Sequence, residues 1–194
     1  MIGWIIGIGI IVVLVFFIIF LYNSVIRLRN QVKNAWAQID VQLKRRNDLI
    51  PNLVETVKGY MKHEKETLEN ITKARSAVMS AEGVEDTAQA SNMLSSTLKS
   101  LFAVSENYPD LKANQNFIQL QTSLNEIEEQ ISAARRAYNA SVTDYNNAIE
   151  MFPTNIAASI MGYERKDYFE IGEGERHNVD VNINPQMGTE GKRN

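Results

Sequence analysis

The sequence predicts an all-α protein in which a single N-terminal transmembrane helix continues into an antiparallel, up-down four-helix bundle with long, coiled-coil-like helices. Three observations carry that prediction. Residues 2–22 are apolar apart from Gly3, Gly7 and Gly9. Beyond them, apolar residues recur at the three-and-four spacing of a helix face along most of the chain. Pro51, Gly83 and Pro109 interrupt this pattern at intervals that suit short helix–helix connections.

Residues 2–22, as a helix of about 31 Å, match a hydrocarbon core of about 30 Å. A cleaved signal peptide requires a basic leading region, a shorter apolar stretch and a small-residue cleavage site, and none is present. Ile2, Trp4, Ile10, Phe16, Phe17, Leu21 and Tyr22 are therefore read as anchor residues, with Tyr22 as the interfacial aromatic. Arg27, Arg29 and Lys33 follow the run, while its N-terminal side carries no basic side chain. The positive-inside rule then predicts a single-pass protein of the cell membrane, with a short N-terminus outside and the bundle in the cytoplasm. Gly3 and Gly7 have the GxxxG spacing that lets two spanning helices approach closely.

The first soluble helix is expected to carry Val25, Leu28, Val32, Trp36, Ile39 and Leu43 on one face. Asn47, Asp48 and Pro51 predict a corner, with Asp48 as N-cap and Pro51 in the first turn of the next helix. That second helix presents Leu53, Val57, Met61, Leu68, Ile71 and Val78 and is expected to stop at Gly83. Asp86 and Gln89 have capping-box spacing and would open a third helix striped by Leu94, Leu98 and Leu101. After Pro109, Asp110 is the expected cap of a fourth helix.

The fourth helix shows the most sustained period: Ala113, Phe117, Leu120, Leu124, Ile127, Ile131, Ala134, Tyr138, Ser141, Tyr145, Ala148 and Phe152, alternately four and three apart. Its expected length exceeds that of its neighbours. Phe117, Tyr138 and Tyr145 are therefore expected to overhang as an exposed assembly seam, a motive for self-association. The predicted domains are an anchor (1–26), a bundle (27–153), a short apolar segment at the bundle end or membrane surface (154–163) and a polar, largely extended tail (164–194). In the tail, Val179, Val181 and Ile183 alternate with polar residues as in a strand.

Composition and motifs bound the chemistry. With 20 Lys+Arg against 23 Asp+Glu, the chain lacks the basic excess of a nucleic-acid binder. It has no Cys, so thiolate catalysis, disulfides and Cys-ligated zinc are excluded. Phosphate-cradling and nucleophile-elbow motifs are missing. His63-Glu64 would need a histidine at Thr67 to form a zinc-protease helix. Lys44, Arg45 and Arg46 form a compact basic cluster, read as a docking patch or as partners for acidic residues of the second helix. Glu126, Glu128 and Glu129 fall off the seam and read as a solvated face.

Several long motifs occur in order. The first set is Tyr22-Asn23, Ala35-Trp36-Ala37-Gln38-Ile39-Asp40-Val41-Gln42-Leu43-Lys44-Arg45-Arg46, and Asp48-Leu49-Ile50-Pro51-Asn52-Leu53-Val54-Glu55-Thr56-Val57-Lys58-Gly59-Tyr60. The second is Tyr108-Pro109-Asp110-Leu111-Lys112-Ala113-Asn114, Phe117-Ile118-Gln119-Leu120-Gln121, Tyr138-Asn139, Tyr145-Asn146, Phe152-Pro153 and Tyr168-Phe169. Over about residues 20 to 170 the chain resembles the bacterial LemA family; after Phe169 it departs from that family's ending. The resemblance implies one membrane helix with an outward N-terminus and a cytoplasmic helical bundle. It implies no catalytic residue. Because family members often accompany membrane proteases or other membrane proteins, it favours a scaffold or accessory role.

The expected function is thus a membrane-anchored scaffold or accessory protein that is not an enzyme, needs no cofactor or metal, sits in the lipid bilayer, and associates with itself and/or with a membrane-protein partner such as a membrane protease. The alternative is a ligand-binding or enzymatic module using a bundle pocket lined by Trp36, Tyr138 and Tyr145.

Overall fold

The computed structural model describes residues 2–169, and the regular elements among them are all helical. They are α1 (Ile2–Lys58), α2 (Lys65–Ser80), α3 (Gly83–Ser105), α4 (Pro109–Lys112), α5 (Gln115–Glu150) and α6 (Thr154–Ile160). The strand-like alternation at Val179 to Ile183 lies outside the described residues.

The apolar N-terminal segment and the first soluble helix form one element of 57 residues, about 85 Å long. The predicted corner at residues 47–51, with Asp48 as its cap, does not form: α1 runs through Pro51 to Lys58. Proline has no amide to give the carbonyl four residues back, which here belongs to Asn47. Arg75 of α2 supplies the missing donor, its Nε lying 3.2 Å from the Asn47 carbonyl oxygen. The chain turns instead at residues 59–64, where the Tyr60 and Met61 amides both donate to the Val57 carbonyl at 3.0 and 2.9 Å.

Two other expected boundaries shift. Gly83 is not the stop of α2, which ends at Ser80, but the first residue of α3. It holds φ +81°, a left-handed conformation that glycine adopts without a Cβ penalty. The helix thus begins upstream of the expected capping box at Asp86, and Glu82 makes no side-chain cap. Likewise Asp110 lies in the short α4, and Asn114 caps α5, its Oδ1 accepting from the Asn116 and Phe117 amides at 2.9 and 3.1 Å. Asn114 Nδ2 also donates to the Tyr60 hydroxyl at 3.0 Å, tying the start of α5 to the α1–α2 turn.

Two apolar clusters are strung along α1. The first joins Val25, Val32, Ile39 and Leu43 to Ile131, Tyr138, Val142 and Tyr145 of α5, with Ala88 and Phe169. The second joins Ile50, Leu53, Val57 and Met61 to Ile71 of α2, Leu94, Leu98 and Leu101 of α3, and Phe117 and Leu124 of α5. As the residue number rises along α1, that of its partner falls: Arg29 meets Tyr163, Trp36 meets Tyr138, and Arg46 meets Glu128. Because α1 is unbroken, it accompanies α5 over most of its length. The expected overhang is therefore absent: Phe117, Tyr138 and Tyr145 are only 1, 2 and 1% exposed within a single chain, so they form no open assembly seam.

Candidate functional site

Three features stand apart from ordinary core packing: a bare apolar stem, a polar layer beneath a groove, and a backbone strap. The stem is the N-terminal part of α1, whose most apolar 18-residue window has a mean hydropathy of 3.2 and no buried residue. Trp4, Ile10, Phe16 and Phe17 are all exposed, and nothing lies within 4 Å of where a Cβ would stand at Gly3 or Gly7. Length and composition make this helix able to cross a membrane. Packing begins at Val25, which is wholly buried. Of the three expected topology residues, Arg27 and Lys33 are exposed, whereas Arg29 sits 4.9 Å above the Tyr163 ring and reaches its hydroxyl at 3.4 Å.

The polar layer separates the two apolar clusters. Arg46 is 0% exposed, so the basic cluster Lys44–Arg46 divides: Lys44 and Arg45 face out, and Arg46 does not belong to a docking patch. Its Nη1 donates to Ser95 Oγ at 2.8 Å and forms an ion pair with Glu128, while Nη2 donates to Ser91 Oγ at 2.9 Å. One side chain from α1 thereby fastens α3 to α5. Its acidic partner comes from α5 and not from the second helix, so Glu128 leaves the solvated face to which spacing assigned it. Arg135 completes the layer, donating to Asn92 Oδ1 at 2.9 Å and to the same Ser91 Oγ at 2.7 Å. Beside this layer, residues of α3 and α5 line a groove of about 960 Å³, whose walls include Ser95, Lys99, Phe102, Glu128, Arg135 and Arg136.

A recognisable signal existed for Arg46. Ile39, Leu43, Arg46, Ile50, Leu53 and Val57 are spaced four, three, four, three, four, so Arg46 occupies a seam position of a helix that continues past Pro51. Placing a corner at Pro51 hides that register.

The strap is residues 164–169, which run extended along α5. Asn139 and Asn146 each grip one residue's backbone from both sides. The Phe169 amide donates to Asn139 Oδ1 at 2.8 Å and Asn139 Nδ2 donates to the Phe169 carbonyl at 3.0 Å; Asn146 holds Lys166 in the same way at 2.9 and 3.0 Å. Tyr138 and Tyr145 donate to the Asp167 and Glu164 carbonyls at 3.0 and 3.1 Å. The repeat of Tyr-Asn seven residues apart is the sequence mark of this device. Burial, with the Asp167 charge beside it, pushes the Tyr138 hydroxyl up to about 12. Burial likewise raises Tyr145, against an opposing effect of Arg29. Phe169 is wholly buried, its ring centroid 6.2 Å from that of Trp36 with the planes tilted by 45°, and 4.6 Å beneath the Arg135 guanidinium. Phe169, within the predicted tail, is therefore part of the core, while residues 164–168 lie exposed along α5. The envisaged pocket of Trp36, Tyr138 and Tyr145 is filled: Trp36 and Tyr138 pack ring to ring at 5.5 Å, and Tyr145 is buried.

Among the described residues no group of three or more His, Cys, Asp or Glu side chains is placed to hold a metal ion. The polar groups of the layer and strap bond mainly to one another.

Among the described residues these features define a helical protein with one long apolar N-terminal helix. The family model for the LemA family matches residues 35–183, and the chain belongs to that family. The match extends past Phe169, so the stretch thought to depart from the family ending falls partly within it. Protein LemA of Metamycoplasma hominis is 32% identical over 161 residues, covering 82% of this chain and 73% of that protein. Magnetosome protein MamQ 2 of Paramagnetospirillum magneticum is 39% identical over 70 residues, 36% of this chain and 26% of that protein. Magnetosome protein MamQ of Magnetospirillum gryphiswaldense is 36% identical over 69 residues, 36% of this chain and 25% of that protein.

Proposed function

We propose that this protein is a membrane-anchored helical scaffold or accessory protein that carries out no reaction of its own and works by assembling with itself or with a membrane-protein partner. The observation that carries this reading is the continuity of α1, in which an apolar stem with no buried residue and the spine of a folded helical domain are one helix. A stem of this kind is favourable only when lipid or protein covers it. In this reading residues 2–22 cross the cell membrane once, the N-terminus lies outside, and the domain lies in the cytoplasm beside Arg27, Arg29 and Lys33.

The domain is read as an antiparallel bundle of α1, α2, α3 and α5, an arrangement supported by the falling partner numbers between α1 and α5. Its polar chemistry is spent on fastening helices and holding the strap. The features left for assembly are the open Gly3 and Gly7 face of the stem and the groove between α3 and α5.

The mass of the full-length protein in mild detergent, compared with a fragment lacking residues 1–26, tests this. A defined oligomer for the full chain and a monomer for the fragment places assembly on the stem. Oligomers of both place it on the domain surface. Monomers in both cases, with no membrane protein co-purifying with the full chain, defeat the scaffold reading.

A further inference from the structure

Residues 151–163 contain no charged side chain, and several of them are conspicuously bare. Phe152, Ile156 and Ile160 are 79, 53 and 82% exposed, whereas Ala158, on the opposite side of α6, is 2% exposed and packs inward. Ile156 and Ile160 are four apart and share one face of α6. The helix thus presents its large aliphatic side chains outward and a small residue inward, the reverse of a helix that merely caps a bundle in water.

The height of α6 along α1 decides what covers that face. Met161 and Tyr163 pack in the same cluster as Val25, and Tyr163 meets Arg29. At about 1.5 Å per residue, Val25 lies about 4.5 Å, and Arg29 about 10 Å, beyond Tyr22, where the apolar stem ends. The headgroup layer on each side of a bilayer is about 5 to 8 Å thick. Val25 thus falls within that layer and Arg29 just beyond it, which holds the α5–α6 turn at the layer's outer edge.

We infer that the α5–α6 turn is a second membrane contact, with Phe152, Ile156 and Ile160 inserted at the headgroup–acyl boundary of the bilayer that α1 enters. This rests on the proposed spanning role of α1 and adds a separate claim about the orientation of the domain. A seven-residue helix binds lipid weakly on its own, but α1 already holds α6 at the surface, so insertion is intramolecular and little further entropy is lost. The inserted face fixes how the domain leans on the membrane. The occupant is lipid and not a second protein because the exposed face is continuous in height with the end of the stem and carries no charge to order a protein partner.

The absence of cysteine makes a clean test available. Full-length Phe152→Cys, Ile160→Cys, Phe16→Cys and Met93→Cys are each labelled with an environment-sensitive fluorophore. They are reconstituted in phosphatidylcholine–phosphatidylglycerol vesicles containing spin-labelled phosphatidylcholine as quencher. Met93 is an exposed site on α3, two residues from the Ser91 that meets Arg46, and so lies about 36 Å beyond Tyr22. The expected result is blue-shifted, lipid-quenched emission at 16, 152 and 160, with the two latter labels quenched best by a shallow spin label, and water-like, unquenched emission at 93. Emission at 152 and 160 matching that at 93, while 16 is quenched, overturns this inference and leaves the spanning role intact. Blue-shifted but unquenched emission at 152 and 160 also overturns it, since another protein surface then covers α6. Water-like emission at 16 removes the spanning role itself and this inference with it.

Discussion

Arg46 offers the sharpest test of how the helices are held together. Its guanidinium is 0% exposed and bonds Ser91, Ser95 and Glu128, and the side chain of Glu128 is 33% exposed. Arg46→Ala leaves that carboxylate without its cation, strips two serines of a donor and opens a cavity between the two apolar clusters. Breaking a buried pair by removing one partner costs about 3 to 5 kcal/mol. At about 2 to 4 °C per kcal/mol for a chain of this size, the melting temperature should fall by about 6 to 20 °C. A well-packed apolar replacement of both partners is often neutral. Arg46→Met with Glu128→Leu should therefore recover most of the loss, and the cycle should show strong coupling. Trp36, packed on Tyr138 and Phe169, reports domain melting by fluorescence in mild detergent once Trp4 is replaced by Phe. A single Arg46→Ala change costing under about 1 kcal/mol, as for a solvent-exposed pair, would refute the buried polar layer.

Other outcomes follow from named contacts. Arg75→Ala should cost about 1 to 3 kcal/mol by orphaning the Asn47 carbonyl, and markedly less in a Pro51→Ala background, where an amide returns at position 51; equal costs in denaturant melts would show that Arg75 does not replace the missing amide. Asn139→Ala with Asn146→Ala should release the strap, seen as amide exchange at Lys166 and Phe169 rising to the rate of exposed backbone. Unchanged protection there would contradict the two-sided grip. Tyr138 ionises at about 12 when folded and near 10 when unfolded, so between those values the unfolded chain has lost a proton that the folded chain keeps. Its contribution is therefore intact below pH 10 and lost as pH rises toward 12, by about 2 to 3 kcal/mol. Tyr138→Phe should flatten that part of the stability–pH curve, and an unchanged slope would show that Tyr138 is not its source.

The legible parts of the sequence were those governed by composition and period. The stem at residues 2–22, the seam residues Ile39, Leu98, Leu124 and Ile131, and the helical character of the described residues follow from local spacing. Helix ends fared worse because a distant side chain can replace a local signal. Pro51 reads as a break until Arg75, 24 residues later in the chain, supplies the donor that proline lacks. The continuation of α1 through Pro51 places the turn at residues 59–64 and covers the seam of α5. It also converted Arg46 from a surface cation into a buried fastener. The strap was hidden for a related reason: residues 164–169 are polar or charged apart from Tyr168 and Phe169, and their order comes from bonds between their backbone and two asparagines on another element.

The continuity of α1 from the stem into the domain sets where every other helix packs. Spin labels at Asn23→Cys and Lys58→Cys in the vesicle-reconstituted full chain measure this by electron–electron distance. An unbroken helix of 35 residues predicts about 52 Å between their backbones. A reversal of the chain at residues 47–51 would instead give about 26 Å by the same rise per residue, and a distribution centred there would contradict the account.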